Sequence, residues 1–229
     1  MIDIHTHILP CVDDGSNSLA QSLDMLKEEV RQGVSTVVLT PHNRLGFNKS
    51  NLELLDQFAK FKESVSNENI PIKLVLGQEI FVTPDTKRLL KYKKLLSLND
   101  SRFVLVEFDC VHRTEIAEVV HELKCEGYRA IVAHPERYEY LTLDDAYEIK
   151  TTGGFLQINA DSIVGDHKRH FKKIIHSMFK EGFVDFVASD VHFGRKNFME
   201  QAQKYVRRKF GEDAMEVVFN LNAKNITRG

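Results

Sequence analysis

The sequences MIDIHTH at residues 1–7 and TVVLTPH at residues 36–42 are two short runs of apolar and β-branched residues that each end in histidine. Such runs are typical of buried strands. Between them the apolar residues from Leu19 to Val30 recur at helical spacing, and Gly33 follows where a helix commonly ends. This strand–helix–strand order predicts a βα unit of a parallel sheet.

The same alternation continues along the chain, without a linker or a low-complexity stretch. With 42% hydrophobic residues, the 229-residue chain can bury one substantial core. We therefore predict a single α/β domain over residues 1–229, built as a (β/α) barrel with one unit fewer than the usual eight. The strand candidates are residues 1–5, 36–40, 72–76, 103–107, 130–133, 155–158 and 183–188.

Composition narrows the possible functions and settings. A formal net charge of −2 gives no electrostatic footprint for nucleic acid. There is no apolar run of about 18 residues, and the first residues lack the apolar stretch of a signal peptide. Cys11, Cys110 and Cys125 are too widely spaced for a Cys-x-x-Cys motif and fit no disulfide framework. We expect a cytoplasmic protein with reduced thiols, no membrane insertion and no nucleic-acid partner.

The helical patterns carry apolar stripes that we interpret as core-facing rather than as cofactor sites. The clearest stripe follows Ser50 and Glu53, whose spacing predicts a capping box at the start of a helix. Its apolar members are Leu54, Leu55, Phe58, Phe61 and Val65.

Potential metal ligands end six of the seven strand candidates. In a barrel of this kind, the carboxyl ends of the strands and the loops after them carry the chemistry. A single histidine or turn aspartate there is usually structural, but so many ionisable groups on one rim would be costly to bury without cations. Their nitrogen and oxygen atoms suit Zn²⁺, Mn²⁺ or Fe²⁺. The side chains are His5, His7, Asp13, Asp14, His42, Glu79, Glu107, His134, Asp190 and His192.

The other five histidines fall in loops or helical patterns, and we interpret them as structural or solvated. They are His112, His121, His167, His170 and His176.

The ordered motifs HTHILP, DDG, TPH, GQEI, LVEF, AHPER and SDVH resemble the polymerase-and-histidinol-phosphatase (PHP) family. The match is nearest to its bacterial tyrosine-phosphatase branch, which is associated with capsular and exopolysaccharide regulation. The resemblance covers nearly the whole chain. It implies a distorted seven-stranded (β/α) barrel with a trinuclear metal site, in agreement with the strand count.

The resemblance also implies a role for each matching residue. The first metal would be bound by His5, His7, Glu79 and Asp190, the second by Glu79, Glu107 and His134, and the third by Asp14, His42 and His192. Arg137 matches a family arginine that holds phosphate, and Arg195 follows SDVH where a second one is expected. The chain departs from the family at Cys11 and Asn43, and it lacks the family's Arg-Pro step after SDVH.

A metal-dependent phosphomonoesterase is the function that these features predict. In it, a water activated between two cations attacks phosphorus. The family branch implies a phosphotyrosine substrate within a bacterial tyrosine kinase tail, and three divalent ions, for which we expect Mn²⁺, with Fe or Zn as the alternatives. The alternatives are a histidinol-phosphate or other small-molecule phosphatase, a nuclease disfavoured by the near-neutral charge, and a non-catalytic metal-binding regulatory module. No cysteine precedes an arginine by six residues, as a cysteine-dependent phosphatase would require.

Overall fold

A computed structural model of the protein describes residues 1–165 and 169–227, with the side chains of residues 169 and 170 left aside. The interpretations of His167 and His170 therefore lie outside the described side chains. Within these ranges, nine strand segments alternate with helices along the chain. The strands are β1 Ile2–Thr6, β2 Thr36–Leu39, β3 His42–Asn43, β4 Lys73–Leu76, β5 Glu79–Phe81, β6 Phe103–Glu107, β7 Arg129–Ala133, β8 Phe155–Asn159 and β9 Val184–Ala188.

The strands form two parallel sheets that together make a barrel. One sheet has the order β1-β2-β4 and the other has the order β3-β5-β6-β7-β8-β9. Between β9 and β1, the Asp190 N–H donates to the His5 carbonyl at 2.9 Å and the His7 N–H donates to the Val191 carbonyl at 3.1 Å. These two bonds join the last strand to the first at the carboxyl ends. The predicted α/β barrel is confirmed.

The strand count differs from the predicted seven because two short strands, β3 and β5, lie just beyond the predicted strands at residues 36–40 and 72–76. Pro41, which has no N–H to donate, separates β2 from β3. Gly77 separates β4 from β5, and a Cβ at this position would lie 2.5 Å from Leu98 Cδ2. The chain bends at both points, so that β5 pairs with β6 whereas β4 pairs only with β2. The barrel is therefore open beside β4.

The helices surround the barrel and begin and end where the local sequence predicts. Ser50 and Glu53 form the predicted capping box, and Gly33 and Gly153 adopt the positive φ expected at helix ends. A π-helix, Val217–Leu221, joins the last two helices. The α-helices are α1 Leu19–Arg31, α2 Asn51–Asn67, α3 Thr86–Lys91, α4 Ile116–Cys125, α5 Leu143–Thr152, α6 Ala160–Val164, α7 Arg169–Lys180, α8 Met199–Phe210, α9 Glu212–Glu216 and α10 Asn222–Thr227.

Two core-facing predictions are wrong, because the Leu19 side chain at the start of α1 is 43% exposed and one side chain of the α2 stripe is exposed as well. Leu54, Phe61 and Val65 are buried as expected, but the Leu55 side chain is 49% exposed. Leu55 instead lines an open groove together with Leu74 and Leu76 of β4.

Two apolar layers hold the structure together. The larger lies between the strands and the surrounding helices. The smaller fills the barrel with side chains such as Ile4, Val38 and Leu105, and Ala223 and Ile226 of α10 pack into it. These apolar residues support the rim on which the polar strand ends lie.

None of the helices in the described ranges combines the length and the apolar character needed to cross a membrane.

Candidate metal centre

All nine side chains that the family resemblance implies as ligands lie together at the carboxyl ends of the strands. They form four overlapping groups of three or four residues, with the ligand atoms of each group within 4.8 Å of one another. Eight of the nine are buried, and Asp14 is exposed. The groups are His5, His7 and Asp190; His5, Glu79 and His134; His42, Glu79 and Glu107; and His7, Asp14, His42 and His192.

The imidazoles of His5 and His7 have one ring nitrogen held by a hydrogen bond and the other aimed at the centre. His5 Nδ1 lies 2.9 Å from Gln157 Oε1, and His7 Nδ1 lies 2.7 Å from Asp13 Oδ2. Because both partners accept hydrogen bonds, each Nδ1 carries the proton and each Nε2 presents a lone pair. The two Nε2 atoms are only 3.2 Å apart. Two lone pairs at this distance repel one another unless a cation or a proton lies between them.

Two carboxylates complete this arrangement. Glu79 Oε1 lies 3.2 Å from His5 Nε2, and Asp190 Oδ1 lies 3.3 Å from His7 Nε2. Asp190 adopts a φ of 50° directly after β9, a left-handed backbone conformation that is uncommon for residues other than glycine. Strain of this kind concentrates at functional sites, where the surrounding structure compensates for it. The four side chains implied for the first metal therefore converge.

His134 and Glu107 reach the same glutamate from the next strands. His134 Nε2 lies 2.9 Å from Glu79 Oε1 and 3.8 Å from Glu107 Oε1. His134 also has a positive φ, 33°, where the chain leaves β7. Glu79 thus lies between the residues implied for the first metal and those implied for the second, as expected for a bridging ligand.

His42 and His192 approach the exposed Asp14 from opposite ends of the chain. Their Nε2 atoms lie 3.4 Å and 3.5 Å from Asp14 Oδ1. His42 Nδ1 in turn lies 2.6 Å from Glu79 Oε2. The imidazole of His42 therefore faces two ligand groups, one with each ring nitrogen, which the resemblance does not imply.

Several buried atoms in this cluster lack a hydrogen-bond partner among the described residues. They include Glu107 Oε2, and also Glu79 Oε2 and His42 Nδ1, whose 2.6 Å contact is not aligned as a hydrogen bond. Leaving buried polar atoms unpaired costs about 1–3 kcal/mol each. Because these three side chains form one group of nitrogen and oxygen donors, a divalent cation would satisfy them together. The residues present therefore fit the bound metal that the resemblance implies.

Burial and the neighbouring charges together shift the pKa values of the cluster. Burial lowers the pKa of His5, but the carboxylates of Glu79 and Asp190 outweigh it and raise the pKa to about 9. Burial raises the pKa of Glu107, and the nearby Glu79 raises it further, to about 7. Protons therefore bind readily here, and a cation must displace them because metal ligands coordinate in their deprotonated forms.

The two predicted phosphate-binding arginines differ in their surroundings. Arg137 Nη1 lies 3.0 Å from Asp190 Oδ2, at the edge of the cluster. The side chain of Arg195 is exposed, and the described residues give it no ion pair. Its charge nevertheless contributes, after burial and the charge of His7, to lowering the pKa of His192 to about 4. Arg137 is therefore bound to the cluster through Asp190, whereas Arg195 forms no ion pair among the described residues.

Sequence reasoning missed the residues that support the ligands. Gln157 Nε2 donates to Asn159 Oδ1, and Asn159 Nδ2 donates to Asp190 Oδ2 at 2.9 Å. This chain of bonds connects His5 to Asp190 through β8, the only predicted strand that ends without a metal ligand. The sequence contained a signal for them, because Gln157 and Asn159 are polar residues at alternate positions of an otherwise apolar strand and therefore point to one face.

Asp13, which the sequence offered as a potential metal ligand, supports two histidines instead, and Arg44 was not identified from the sequence. Asp13 Oδ2 accepts from the His42 N–H at 3.0 Å besides holding His7. Gly15 lets this turn lie against His7, because a Cβ there would overlap the His7 carbonyl oxygen. Arg44 Nη2 donates to Asp14 Oδ2 at 3.0 Å, which adds a second guanidinium in contact with the cluster.

The remaining described histidine side chains lie outside the cluster, as predicted. His112 is exposed beside Asp109, and His121 is exposed beside Cys125. His176 is partly buried against Phe210.

The fold and this rim define an α/β barrel with histidine and carboxylate side chains grouped for metal binding at the carboxyl ends of its strands. The chain belongs to the family described as "Capsular polysaccharide synthesis, CpsB/CapC", which matches residues 1–228. This membership confirms the resemblance found in the motifs.

Relatives that align over the whole chain include two tyrosine-protein phosphatases. The tyrosine-protein phosphatase YwqE of Bacillus subtilis is 33% identical over 233 residues, which include 100% of this chain and 92% of YwqE. The tyrosine-protein phosphatase CpsB of Streptococcus agalactiae is 33% identical over 239 residues, with 100% of this chain and 98% of CpsB covered.

Solved structures agree on the fold. One described with YwqE from Bacillus subtilis and CpsB from Streptococcus pneumoniae, as metal-dependent tyrosine phosphatases, superposes with a TM-score of 0.88 at 32% identity and covers 94% of this chain and 90% of that one. A histidinol phosphate phosphatase from Lactococcus lactis superposes with a TM-score of 0.58 at 12% identity, covering 91% and 94%. The latter similarity concerns the fold alone.

Proposed function

We propose that this chain is a metal-dependent phosphatase that hydrolyses phosphotyrosine in a protein substrate. The observation that carries the proposal is the convergence of nine nitrogen- and oxygen-bearing side chains on one rim of the barrel. Its support comes from full-length relatives that are named tyrosine-protein phosphatases. A non-catalytic module is disfavoured because all nine side chains are present and grouped.

Three cations, with manganese the most suitable, would occupy this rim. The first would be held by His5, His7, Glu79 and Asp190, the second by Glu79, Glu107 and His134, and the third by Asp14, His42 and His192. Grouped divalent cations of this kind supply Lewis acidity and lower the pKa of a water to about 7, so that it can attack phosphorus.

The chain's own residues bind and orient the substrate. Arg137 offers planar N–H donors to the phosphoryl oxygens, and its bond to Asp190 fixes the direction of the guanidinium. Arg195, exposed beside His192, can turn toward the same phosphate. Donors placed in advance where charge develops are a major source of catalysis.

Arg44 joins this set as a third phosphate-binding residue. It is bound to Asp14, whereas Arg137 is bound to Asp190, and it lies over the Phe47 ring at 5.6 Å. Its N–H and carbonyl groups both pair with Phe47, which closes a tight turn. A phosphate between Arg44 and Arg137 would be contacted from two sides.

The surroundings of the rim favour an aromatic phosphoester. Leu45 is fully exposed at the tip of the turn, and Phe193, directly after His192, is 48% exposed. The Phe47 ring lies beside the His42 ring, with the centroids 6.1 Å apart and the planes inclined by 27°. These apolar groups can pack against a phenyl ring, whereas the cationic amine of histidinol would gain little from them. A phenolate also leaves with less protonic help than an alkoxide does.

The family description, capsular polysaccharide synthesis, indicates the biological setting of the substrate. We expect the substrate to be a tyrosine-phosphorylated tail of a bacterial kinase in capsular or exopolysaccharide synthesis, in agreement with the family description. A cytoplasmic location is supported by three cysteines that form no disulfide with one another.

Phosphate release from a tyrosine-phosphorylated peptide with added Mn²⁺ tests this function, with histidinol phosphate and a chelator as parallel arms. We expect faster, chelator-sensitive turnover of the peptide. Faster turnover of histidinol phosphate would instead indicate a small-molecule phosphatase. Inactivity on both substrates despite bound metal would overturn the catalytic proposal.

A further inference from the structure

A large groove lies on the outer wall of the barrel, beside the opening at β4. Its volume is about 1000 Å³, and none of the nine proposed metal ligands lines it. One wall is a face of α2 that includes Leu55 and Phe58, and the opposite wall is the chain between residues 93 and 102. The groove is therefore a feature separate from the metal centre.

Strand β4 runs along the groove with one edge unpaired. The N–H of Lys73 donates to the Ser35 carbonyl and the N–H of Gly77 donates to the Leu39 carbonyl, so the odd-numbered residues face β2. The peptide groups of Leu74 and Leu76 therefore point away from β2, and among the described residues no backbone group pairs with them. Such an edge is a template for an added strand.

The side chains around this edge provide apolar contact area. Leu55 is 49% exposed, and Phe58, Leu96 and Tyr128 are each partly buried. Leu55 and Phe58 therefore form the part of the predicted apolar stripe of α2 that the fold leaves open. A second element lying in the groove would cover it.

The groove is also strongly cationic. Four basic residues line it, Lys62, Lys73, Lys93 and Arg102, against one acidic residue, Asp100. Among the residues described, Lys62, Lys93 and Arg102 take part in no ion pair; Lys62 lies over the Phe58 ring, and Lys73 donates to the Thr227 carbonyl. The whole chain has a net charge of −2, so this concentration of positive charge is local.

We propose that the groove binds an extended, acidic peptide segment of a partner protein, which adds as a strand beside β4. The free edge supplies hydrogen bonds to the peptide backbone, the apolar wall accepts alternate side chains, and the cations pair with the carboxylates. A nucleic acid would use the cations alone and leave the strand edge unpaired. The proposal does not depend on the chemistry at the metal centre.

Selection from a phage-displayed library of random 12-residue peptides tests this binding, with the protein immobilised through an amino-terminal tag. We expect enrichment of acidic peptides that alternate carboxylates with apolar residues. A synthetic copy of an enriched peptide should bind the free protein in fluorescence anisotropy and slow hydrogen exchange at the amides of Leu74 and Leu76. Two further copies of the peptide would be methylated on the backbone nitrogens of either the odd or the even residues. Methylation of the set that faces β4 should abolish binding, and methylation of the other set should not.

Charge reversal tests the role of the groove cations, and the same charge change elsewhere on the surface is the matched control. The double substitution Lys93→Glu and Arg102→Glu should weaken peptide binding by about 10-fold or more. Lys172→Glu with Lys209→Glu, exposed positions on α7 and α8 with the same change in net charge, should leave it unchanged. Hydrolysis of a small aryl phosphate reports whether each variant is folded.

If no acidic peptides are enriched, or if both double variants bind equally well, the proposal is wrong. If no peptide is selected and only the Lys93→Glu and Arg102→Glu double variant changes the sedimentation coefficient of the protein, the peptide proposal is wrong. The groove would then be an interface with a second copy of this chain.

Discussion

At the scale of single residues, the direction of each imidazole decides what the rim can bind. A histidine whose Nδ1–H is held by a neighbour can offer only Nε2 to a metal. Gln157 does this for His5, and Asp13 does it for His7. The ligands themselves were readable from the sequence because they follow strands, but their supports were not, since a hydrogen bond between β8 and β1 depends on how the barrel closes.

Replacing Gln157 with leucine should weaken metal binding without changing a ligand. The buried Nδ1–H of His5 would lose its acceptor, and support of this kind contributes roughly 10–100-fold in metal affinity or activity. Activity titrated with Mn²⁺ should show a raised half-saturation concentration that excess metal largely overcomes. Gln201→Leu, on an exposed position of α8, is the control. An unchanged titration curve would contradict the role given to Gln157.

Replacing Arg44 with glutamine should lower kcat/KM for an aryl phosphate by about 10-fold to 100-fold. This range corresponds to the roughly 1.5–3 kcal/mol of a hydrogen bond to a charged group. Inhibition by inorganic phosphate should weaken in parallel, while the bound metal content stays the same. Arg31→Gln removes a comparable exposed arginine–carboxylate pair on α1 and should have no effect. Equal kinetics in the two variants would remove Arg44 from the substrate site.

At the scale of elements, strands and helix ends follow from local chemistry, whereas their interruptions do not. Strand positions and the capping box of α2 were predictable because they depend on neighbouring residues. The division of β4 from β5 was not, because it requires Gly77 to lie against Leu98, which is distant in sequence. Leu55 of α2 lies in an open groove beside β4 rather than in the core. Local patterns specify which residues can be buried, and tertiary pairing decides which of them are.

The substitution Ser50→Ala should reduce the free energy of unfolding by about 1 kcal/mol, within a range of roughly 0.5–2 kcal/mol. It removes the hydroxyl that accepts from the Glu53 N–H at the start of α2. Urea denaturation measures the change. Ser66→Ala, exposed near the other end of the same helix, should leave stability nearly unchanged. Equal effects at the two positions would show that the cap contributes nothing.

At the scale of the whole molecule, barrel closure brings together charged groups that are far apart in sequence. Asp3 of β1 and Glu29 of α1 are both fully buried, and Asn197 Nδ2 donates to Glu29 Oε1 at 2.6 Å. Burial raises the pKa of Glu29 well above its usual value, and the charge of Asp3 raises it further. The single domain over residues 1–229 stays a prediction, although the family match spans nearly all of it.

The raised pKa of Glu29 should make the protein less stable as the pH rises. Above the ordinary glutamate pKa, the unfolded chain has released this proton while the folded chain still holds it, so stability falls until the folded pKa is passed. Glu29→Gln should remove this loss while keeping an acceptor for Asn197. Unfolding free energies between pH 4.5 and pH 8 should therefore diverge from wild type increasingly with pH. Glu63→Gln, at an exposed position of α2 away from Glu29, should give a curve parallel to wild type, and a parallel curve for Glu29→Gln would contradict the prediction.

The metal centre is the central claim, and Glu79 is its most shared residue because it contacts His5, His42 and His134. The most direct measurement is the Mn²⁺ content per chain, together with hydrolysis of a tyrosine-phosphorylated peptide, for the wild type and Glu79→Gln. Glu181→Gln, exposed at the end of α7, serves as the control. We predict about three ions in the wild type and the control, with loss of both metal and activity in Glu79→Gln. Wild-type activity that persists after the metal is removed, or full metal content and activity in Glu79→Gln, would contradict it.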